Sequence, residues 1–129
     1  MQILVVDDDA LVREAAKIML SVKGHHVTLA ESGRAGIEAA RKERFDVAIV
    51  DLFMPGMDGL QVIETIRNER PDLPLIAASG FMFDGDCPPM PNFDSMAEEA
   101  GATTTLYKPF RPDALWRAIA KAVETSAVA

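Results

Sequence analysis

The chain has 129 residues, of which 49% are hydrophobic, and its formal net charge is -7. This length predicts one domain with its own hydrophobic core, and no stretch approaches the roughly 18 consecutive apolar residues of a membrane span. The acidic charge argues against nucleic acid or anionic lipid as a direct partner, because binding to phosphates needs clustered Lys and Arg. With no signal-peptide pattern and a single cysteine, Cys87, the protein is expected in the cytoplasm, with proteins or cations as partners.

Short apolar runs alternate with longer stretches of helical period along the whole chain. The runs predict strands at 3–6, 27–30, 47–50, 75–78 and 103–107, the last being the weakest because three threonines stand where apolar residues are expected. The longer stretches predict helices at 11–20, 35–44, 60–69 and 93–100, and a last one with Pro112 near its start. This alternation is typical of an α/β domain with a parallel sheet covered by helices.

The first predicted helix has an apolar stripe and clear end signals. Asp9 is a good N-cap residue, and Gly24 follows the helix as a plausible terminator. Apolar residues recur at spacings of three and four, which predicts one buried face. Its members are Leu11, Val12, Ala15, Ala16, Met19 and Leu20.

Polar residues stand where four of the five predicted strands end. Asp7 and Asp8 follow the first strand, Asp51 the third, Ser79 the fourth and Lys108 the fifth. In open parallel sheets, ligands bind in the crevice outside the carboxyl ends of the strands. We therefore expect the three acids, the hydroxyl and the lysine to lie in one place.

The chemistry of these residues predicts a magnesium-assisted phosphoryl site. Mg²⁺ prefers oxygen ligands and is commonly held by one or two carboxylates, which Asp8 and Asp51 can supply. With the cation offsetting charge repulsion, Asp51 is a usable nucleophile towards a phosphoryl group. Lys108 then offers a fixed positive charge to the phosphoryl oxygens, and the Ser79 hydroxyl can donate to one of them.

Four stretches, taken in order, resemble the receiver domain of two-component response regulators: LVVDDD (4–9), DLFMPGMDG (51–59), ASG (78–80) and KPF (108–110). The resemblance covers nearly the whole chain. It implies a doubly wound, five-stranded parallel sheet in the order 2-1-3-4-5, the flavodoxin-like (βα)5 fold. Because the tail from Thr125 onward is too short for an output domain, we expect a stand-alone receiver over residues 1–129.

The resemblance assigns a role to each polar position. By it, the protein takes a phosphoryl group from a sensor histidine kinase or a histidine phosphotransfer protein, with Mg²⁺ as cofactor, and signals to a downstream protein target. Its only chemistry would be its own phosphorylation and dephosphorylation. The implied roles are phosphoacceptor for Asp51, metal ligands for Asp8, Asp51 and the Phe53 backbone carbonyl, a metal contact through water for Asp7, and phosphoryl-binding and switch groups for Lys108 and Ser79.

Two departures from the family pattern affect the expected behaviour. The segment 80–94 is longer than in compact receivers, and its prolines should delay and shorten the fourth helix to about 93–100. Thr105 stands where receivers usually carry an aromatic switch residue, while Tyr107 is expected on the strand face opposite to Lys108. The usual coupling of an aromatic residue to the switch hydroxyl is therefore not expected.

Two phenylalanines occupy the positions best placed to orient or exclude the water that hydrolyses the phosphoryl group. These are Phe53, two residues after the phosphoacceptor, and Phe81, two residues after the switch hydroxyl. Neither side chain can hydrogen-bond to water, so we expect slow self-dephosphorylation. The alternative is that Phe81 swings away in the lengthened loop and has no influence.

Two other functions remain open from the sequence. One is a pseudo-receiver, a binding module that is not switched by phosphorylation. Thr105, in place of the aromatic switch residue, leaves this function open. The other is an aspartate-based phosphohydrolase similar to haloacid-dehalogenase-like phosphatases. Those enzymes need a second acid two residues after the nucleophile, where this chain has Phe53.

Overall fold

A computed structural model describes residues 1–54, 57–80, 93–108 and 110–128. The central strands are β1 (Gln2–Val6), β2 (His26–Ala30), β3 (Val47–Asp51), β4 (Leu75–Gly80) and β5 (Thr104–Lys108). The helices are α1 (Ala10–Ser21), α2 (Gly33–Lys42), α3 (Gly59–Glu69), α4 (Phe93–Ala100) and α5 (Pro112–Val128). Two further two-residue strands, Phe53–Met54 and Met57–Asp58, pair antiparallel between β3 and α3.

The five central strands form one parallel sheet in the order β2-β1-β3-β4-β5. The predicted strand order, 2-1-3-4-5, is therefore confirmed. The order reverses between β1 and β3, which are hydrogen-bonded neighbours although β2 lies between them in the chain. A crevice for ligands opens outside the carboxyl ends of the strands at such a reversal.

The sheet is covered by helices on both faces. Alternate strand residues point to opposite faces, so Ile3 and Val5 pack with α1 and α5, whereas Leu4 and Val6 pack with α2, α3 and α4. The strands are apolar on both sides because both sides are buried. This arrangement leaves the strand ends as the place where polar side chains can gather.

Helix ends follow local signals in the sequence. The Asp9 side chain accepts from the Leu11 N–H at 2.9 Å, and the Asp58 side chain accepts from the Leu60 N–H at 2.9 Å. Asp9 was predicted as the N-cap of α1, which the structure confirms, and Asp58 caps α3 in the same way. Gly24 follows α1 with a φ of 82°, a left-handed conformation that favours glycine.

The fourth helix, α4, spans Phe93–Ala100, the range that was predicted from the prolines before it. The second begins two residues earlier than predicted because Ser32 caps it and accepts from the Ala35 N–H at 3.1 Å. Residues 81–92, including Phe81, lie outside the described residues. Within the described ranges, every helix is too short or too polar to cross a membrane.

The predicted buried stripe on α1 is wrong at Leu11. Ala16 and Leu20 are buried, but Leu11 is 81% exposed. At 100° per residue, Leu11 lies about 140° around the helix from Ala16. It therefore faces solvent on a second line of apolar residues. The prediction from residue spacing treated both lines as one buried face.

Candidate functional site

The carboxyl ends of the strands bring the predicted polar residues to one end of the sheet. Asp51 is the last residue of β3, and Asp7 directly follows β1. Lys108 is the last residue of β5, and Ser79 precedes the last residue of β4. Asp7, Asp51 and Ser79 are each only 3% exposed, whereas Asp8 is exposed.

Three carboxylates form a compact cluster at this end. One oxygen from each of Asp7, Asp8 and Asp51 lies within 4.8 Å of the others. Two of these groups are buried and the third faces solvent, so a cation could reach the cluster from one side. Closely spaced oxygen donors with this much negative charge fit Mg²⁺, which prefers oxygen ligands and retains several waters.

Lys108 supplies the positive charge inside the cluster. Its Nζ lies 2.5 Å from Asp7 Oδ2 and 3.2 Å from Asp51 Oδ2. Burial lowers the pKa of Lys108, but its hydrogen bond to Asp7 and the negative charges of Asp51 and Asp7 outweigh this, so the pKa is raised overall. The lysine therefore stays charged at neutral pH and bridges two of the three acids.

Asp7 is fixed through each of its polar groups. Its N–H donates to the Ala30 carbonyl at 3.1 Å, and its own carbonyl accepts from Arg13 Nη1 at 2.8 Å. Its Oδ1 accepts from the Asp9 N–H at 2.9 Å, while Oδ2 accepts from Lys108. The Arg13 contact was missed by the sequence analysis. The sequence signal that could have indicated this contact is the position of Arg13, which is four residues after the N-cap Asp9 and therefore on the same side of α1.

The backbone after Asp51 is held by a close approach of α3. A Cβ on Gly59 would lie 2.6 Å from the Asp51 carbonyl oxygen and 2.3 Å from the Leu52 Cα, so only glycine fits here. The Leu52 N–H also donates to the Ala78 carbonyl at 2.9 Å. These contacts fix the chain where it leaves Asp51 and enters the short strand that begins at Phe53.

Thr105 and Tyr107 lie on β5, the strand that pairs with β4 and its Ser79. In the β4–β5 register, Ser79 pairs with Tyr107 and Ala77 pairs with Thr105. Thr105 and Tyr107 thus share a strand face, and Tyr107 packs against the core on the α2, α3 and α4 side. Leu106 packs on the other side of the sheet. The predicted separation of Tyr107 from the face of Lys108 follows from this alternation.

An exposed apolar line runs along α1 beside the site. Leu11, Ile18 and Val22 are 81%, 64% and 76% exposed, and with the half-buried Ala15 they recur at spacings of four, three and four. Leu11 and Ala15 also line an open pocket of about 170 Å³ that includes Lys108. The apolar line therefore begins at the pocket that Lys108 of the polar cluster also lines.

Comparison with known proteins identifies the family. The sequence profile described as "Response regulator receiver domain" matches residues 3–120. The chain belongs to this family. It is 36% identical over 114 residues to "Response regulator MprA" of Mycolicibacterium vanbaalenii, a match that covers 84% of the chain and 44% of that protein. It is 35% identical over 128 residues to "Transcriptional regulatory protein GlrR" of Escherichia coli, covering 98% of the chain and 27% of that protein.

Solved structures agree with this assignment. A CheY-like receiver domain protein from Methanospirillum hungatei matches with a TM-score of 0.84 at 25% identity, covering 98% of this chain and 96% of that one. Chemotaxis protein CheY4 of Vibrio cholerae matches with a TM-score of 0.82 at 28% identity, covering 94% and 97%. The receiver spans less than half the length of the curated relatives MprA and GlrR. Receiver domains act in two-component signalling and are not classical enzymes.

Proposed function

We propose that this receiver accepts a phosphoryl group on Asp51 and signals through contacts with other proteins. The observation that carries the proposal is the Lys108 ammonium, 2.5 Å from Asp7 and 3.2 Å from Asp51 within a cluster of three carboxylates. A cation fixed beside a buried carboxylate is suited to stabilise the negative charge of an incoming phosphoryl group.

Mg²⁺ is the proposed cofactor, and its ligands come from the same cluster. Asp8, Asp51 and the Phe53 backbone carbonyl would hold it directly, and Asp7 would contact it through water. When bound, the ion neutralises charge on the phosphoryl oxygens and orients them. Asp8 is the exposed member of the cluster, so an ion would reach it from solvent.

In the proposed transfer, an Asp51 carboxylate oxygen attacks the phosphorus of a phosphohistidine. The new O–P bond forms as the N–P bond breaks, and the bonding electron pair returns to the imidazole nitrogen of the donor. Lys108 contacts the phosphoryl oxygens from its position between Asp7 and Asp51. The buried Ser79 hydroxyl, one residue beyond the register partner of Asp51, donates to another of these oxygens.

The proposed phosphodonor is a sensor histidine kinase or a histidine phosphotransfer protein that presents a helix to α1. The exposed line Leu11, Ala15, Ile18 and Val22 has the spacing of a helix-packing seam, and it begins beside the pocket that contains Lys108. A donor helix on this line would bring its phosphohistidine towards Asp51. A downstream protein target and a cytoplasmic setting complete the proposal.

The lifetime of the phosphoryl group is proposed to be long. Phe53 and Phe81 take the positions where a polar side chain could orient the hydrolytic water. With Thr105 at the usual aromatic switch position, the readout of phosphorylation does not follow the common pattern of the family.

The experiment is incubation with a small phosphodonor and Mg²⁺, followed by intact-mass measurement of wild type and Asp51→Ala. We expect wild type to gain one phosphate only when Mg²⁺ is present, and the variant to gain none. A pseudo-receiver is the second candidate, favoured by Thr105, and it predicts no gain in wild type. Continuous release of inorganic phosphate, with many turnovers, would instead identify a phosphohydrolase.

A further inference from the structure

Arg13, on α1, reaches the acidic end of the sheet, where its Nη1 donates a hydrogen bond to the Asp7 carbonyl oxygen at 2.8 Å. Within the described ranges, the half-buried guanidinium makes no other hydrogen bond or ion pair. The side chain thus binds the main chain of the acidic segment and not a carboxylate. A guanidinium offers five N–H donors, and here it uses one of them on a carbonyl group.

The carbonyl that Arg13 holds belongs to the peptide between Asp7 and Asp8. Because that peptide is planar, the Asp7 carbonyl and the Asp8 N–H turn as one unit. Fixing the oxygen therefore fixes the direction in which the chain enters Asp8. The Asp8 carboxylate itself is exposed, and no hydrogen bond or ion pair within the described ranges engages it.

We infer that Arg13 is a positioning residue that orients Asp8 for the divalent cation. Asp7 is immobilised through its own N–H, its carboxylate and its carbonyl, whereas Asp8 depends on the shared peptide for its orientation. Groups that orient metal ligands from outside the ligand set commonly contribute about 10–100-fold to metal affinity. This inference rests on the proposed Mg²⁺ site.

A positioning role and a purely electrostatic role predict opposite changes in Mg²⁺ affinity when Arg13 is replaced. If Arg13 acted only as a charge, replacing it with a neutral residue would reduce repulsion and strengthen the binding of a cation to the acidic cluster. If it orients Asp8, the same replacement weakens binding. The direction of the change in affinity therefore separates the two roles.

The experiment measures the Mg²⁺ dissociation constant by calorimetry for wild type, Arg13→Met, Arg13→Lys and Lys17→Met. Lys17 is exposed on the same helix, so Lys17→Met removes one positive charge without removing the contact to Asp7. We expect Arg13→Met to raise the dissociation constant about tenfold. Arg13→Lys keeps the positive charge and an N–H donor for the Asp7 carbonyl, so its dissociation constant should stay within about twofold of wild type. Lys17→Met should equal wild type or bind slightly more tightly.

A second measurement keeps the test independent of any general loosening of the fold. In the Asp8→Asn background, Arg13→Met should change the dissociation constant by less than about twofold, since the two residues act as a coupled unit. An undiminished effect in that background overturns the inference, as does an Arg13→Met protein that binds as tightly as Lys17→Met. If wild type binds no Mg²⁺, the proposed metal site fails as well. If wild type binds and Arg13→Met matches Lys17→Met, only the positioning role fails.

Discussion

Replacement of Lys108 by methionine tests the balance of charge at the end of the sheet. The Lys108 side chain is 13% exposed, and those of Asp7 and Asp51 are 4% exposed. At an effective dielectric constant of about 20, the attractions over these distances are roughly 7 and 5 kcal/mol before desolvation is counted. Desolvation offsets much of this, and removing one partner of a buried ion pair costs about 3–5 kcal/mol because a buried charge is left unpaired.

The free energy of unfolding should therefore fall by about 3 kcal/mol in Lys108→Met in the absence of Mg²⁺. The assay is urea unfolding followed by circular dichroism near neutral pH with a chelator. Lys121→Met is the matched control, because it removes an exposed lysine from α5. Millimolar Mg²⁺ should stabilise Lys108→Met more than wild type, since the ion replaces the missing positive charge. Equal stability of the Lys108 and Lys121 variants would refute the reasoning.

The ion pairs of Lys108 with Asp7 and Asp51 also predict how the stability of the protein depends on pH. The pKa of Lys108 in the folded protein is raised above its ordinary value of 10.5. The stabilisation is therefore fully present below that ordinary value and is lost as the pH rises through the folded pKa. Wild type should lose stability in this alkaline range more steeply than Lys108→Met does.

Three further predictions concern the metal, the phosphoryl group and the donor. Mg²⁺ should raise the melting temperature of wild type by ligand linkage, and Asp8→Asn should show a smaller shift; no shift in wild type would contradict the metal site. Phe53→Asn and Phe81→Gln should each speed decay of the phosphorylated form, as followed by intact mass, and equal decay in all proteins would contradict shielding. Ile18→Glu should slow phosphorylation by a histidine-containing donor protein but not by a small phosphodonor, and equal slowing of both would contradict docking on α1.

Much of the fold could be predicted because it depends on local patterns. The apolar runs that precede Asp7 and Asp51 mark buried strands, and the N-cap Asp9 marks the start of α1. The strand order came from the family resemblance, and the pairing of the strands confirms it. The convergence of acids and Lys108 followed from the rule that parallel strands end at one edge.

The remainder depends on contacts between distant parts of the chain. Lys108 bonds to Asp7 as well as Asp51, which requires a register that no local pattern specifies. Leu11 was assigned to the core because α1 carries two apolar lines, and only packing shows which of them is buried. The Arg13 contact depends on the turn between β1 and α1, and the path of that turn depends on how the two elements pack against each other.

Chemical trapping of the phosphorylated residue tests the central claim most directly. Borohydride reduces an aspartyl phosphate to homoserine, and tandem mass spectrometry of the digested protein locates that residue. After incubation with a small phosphodonor and Mg²⁺, we predict homoserine at position 51. Homoserine at position 7 or 8, or its absence from a protein that carries a phosphoryl group, would contradict Asp51 as the phosphoacceptor.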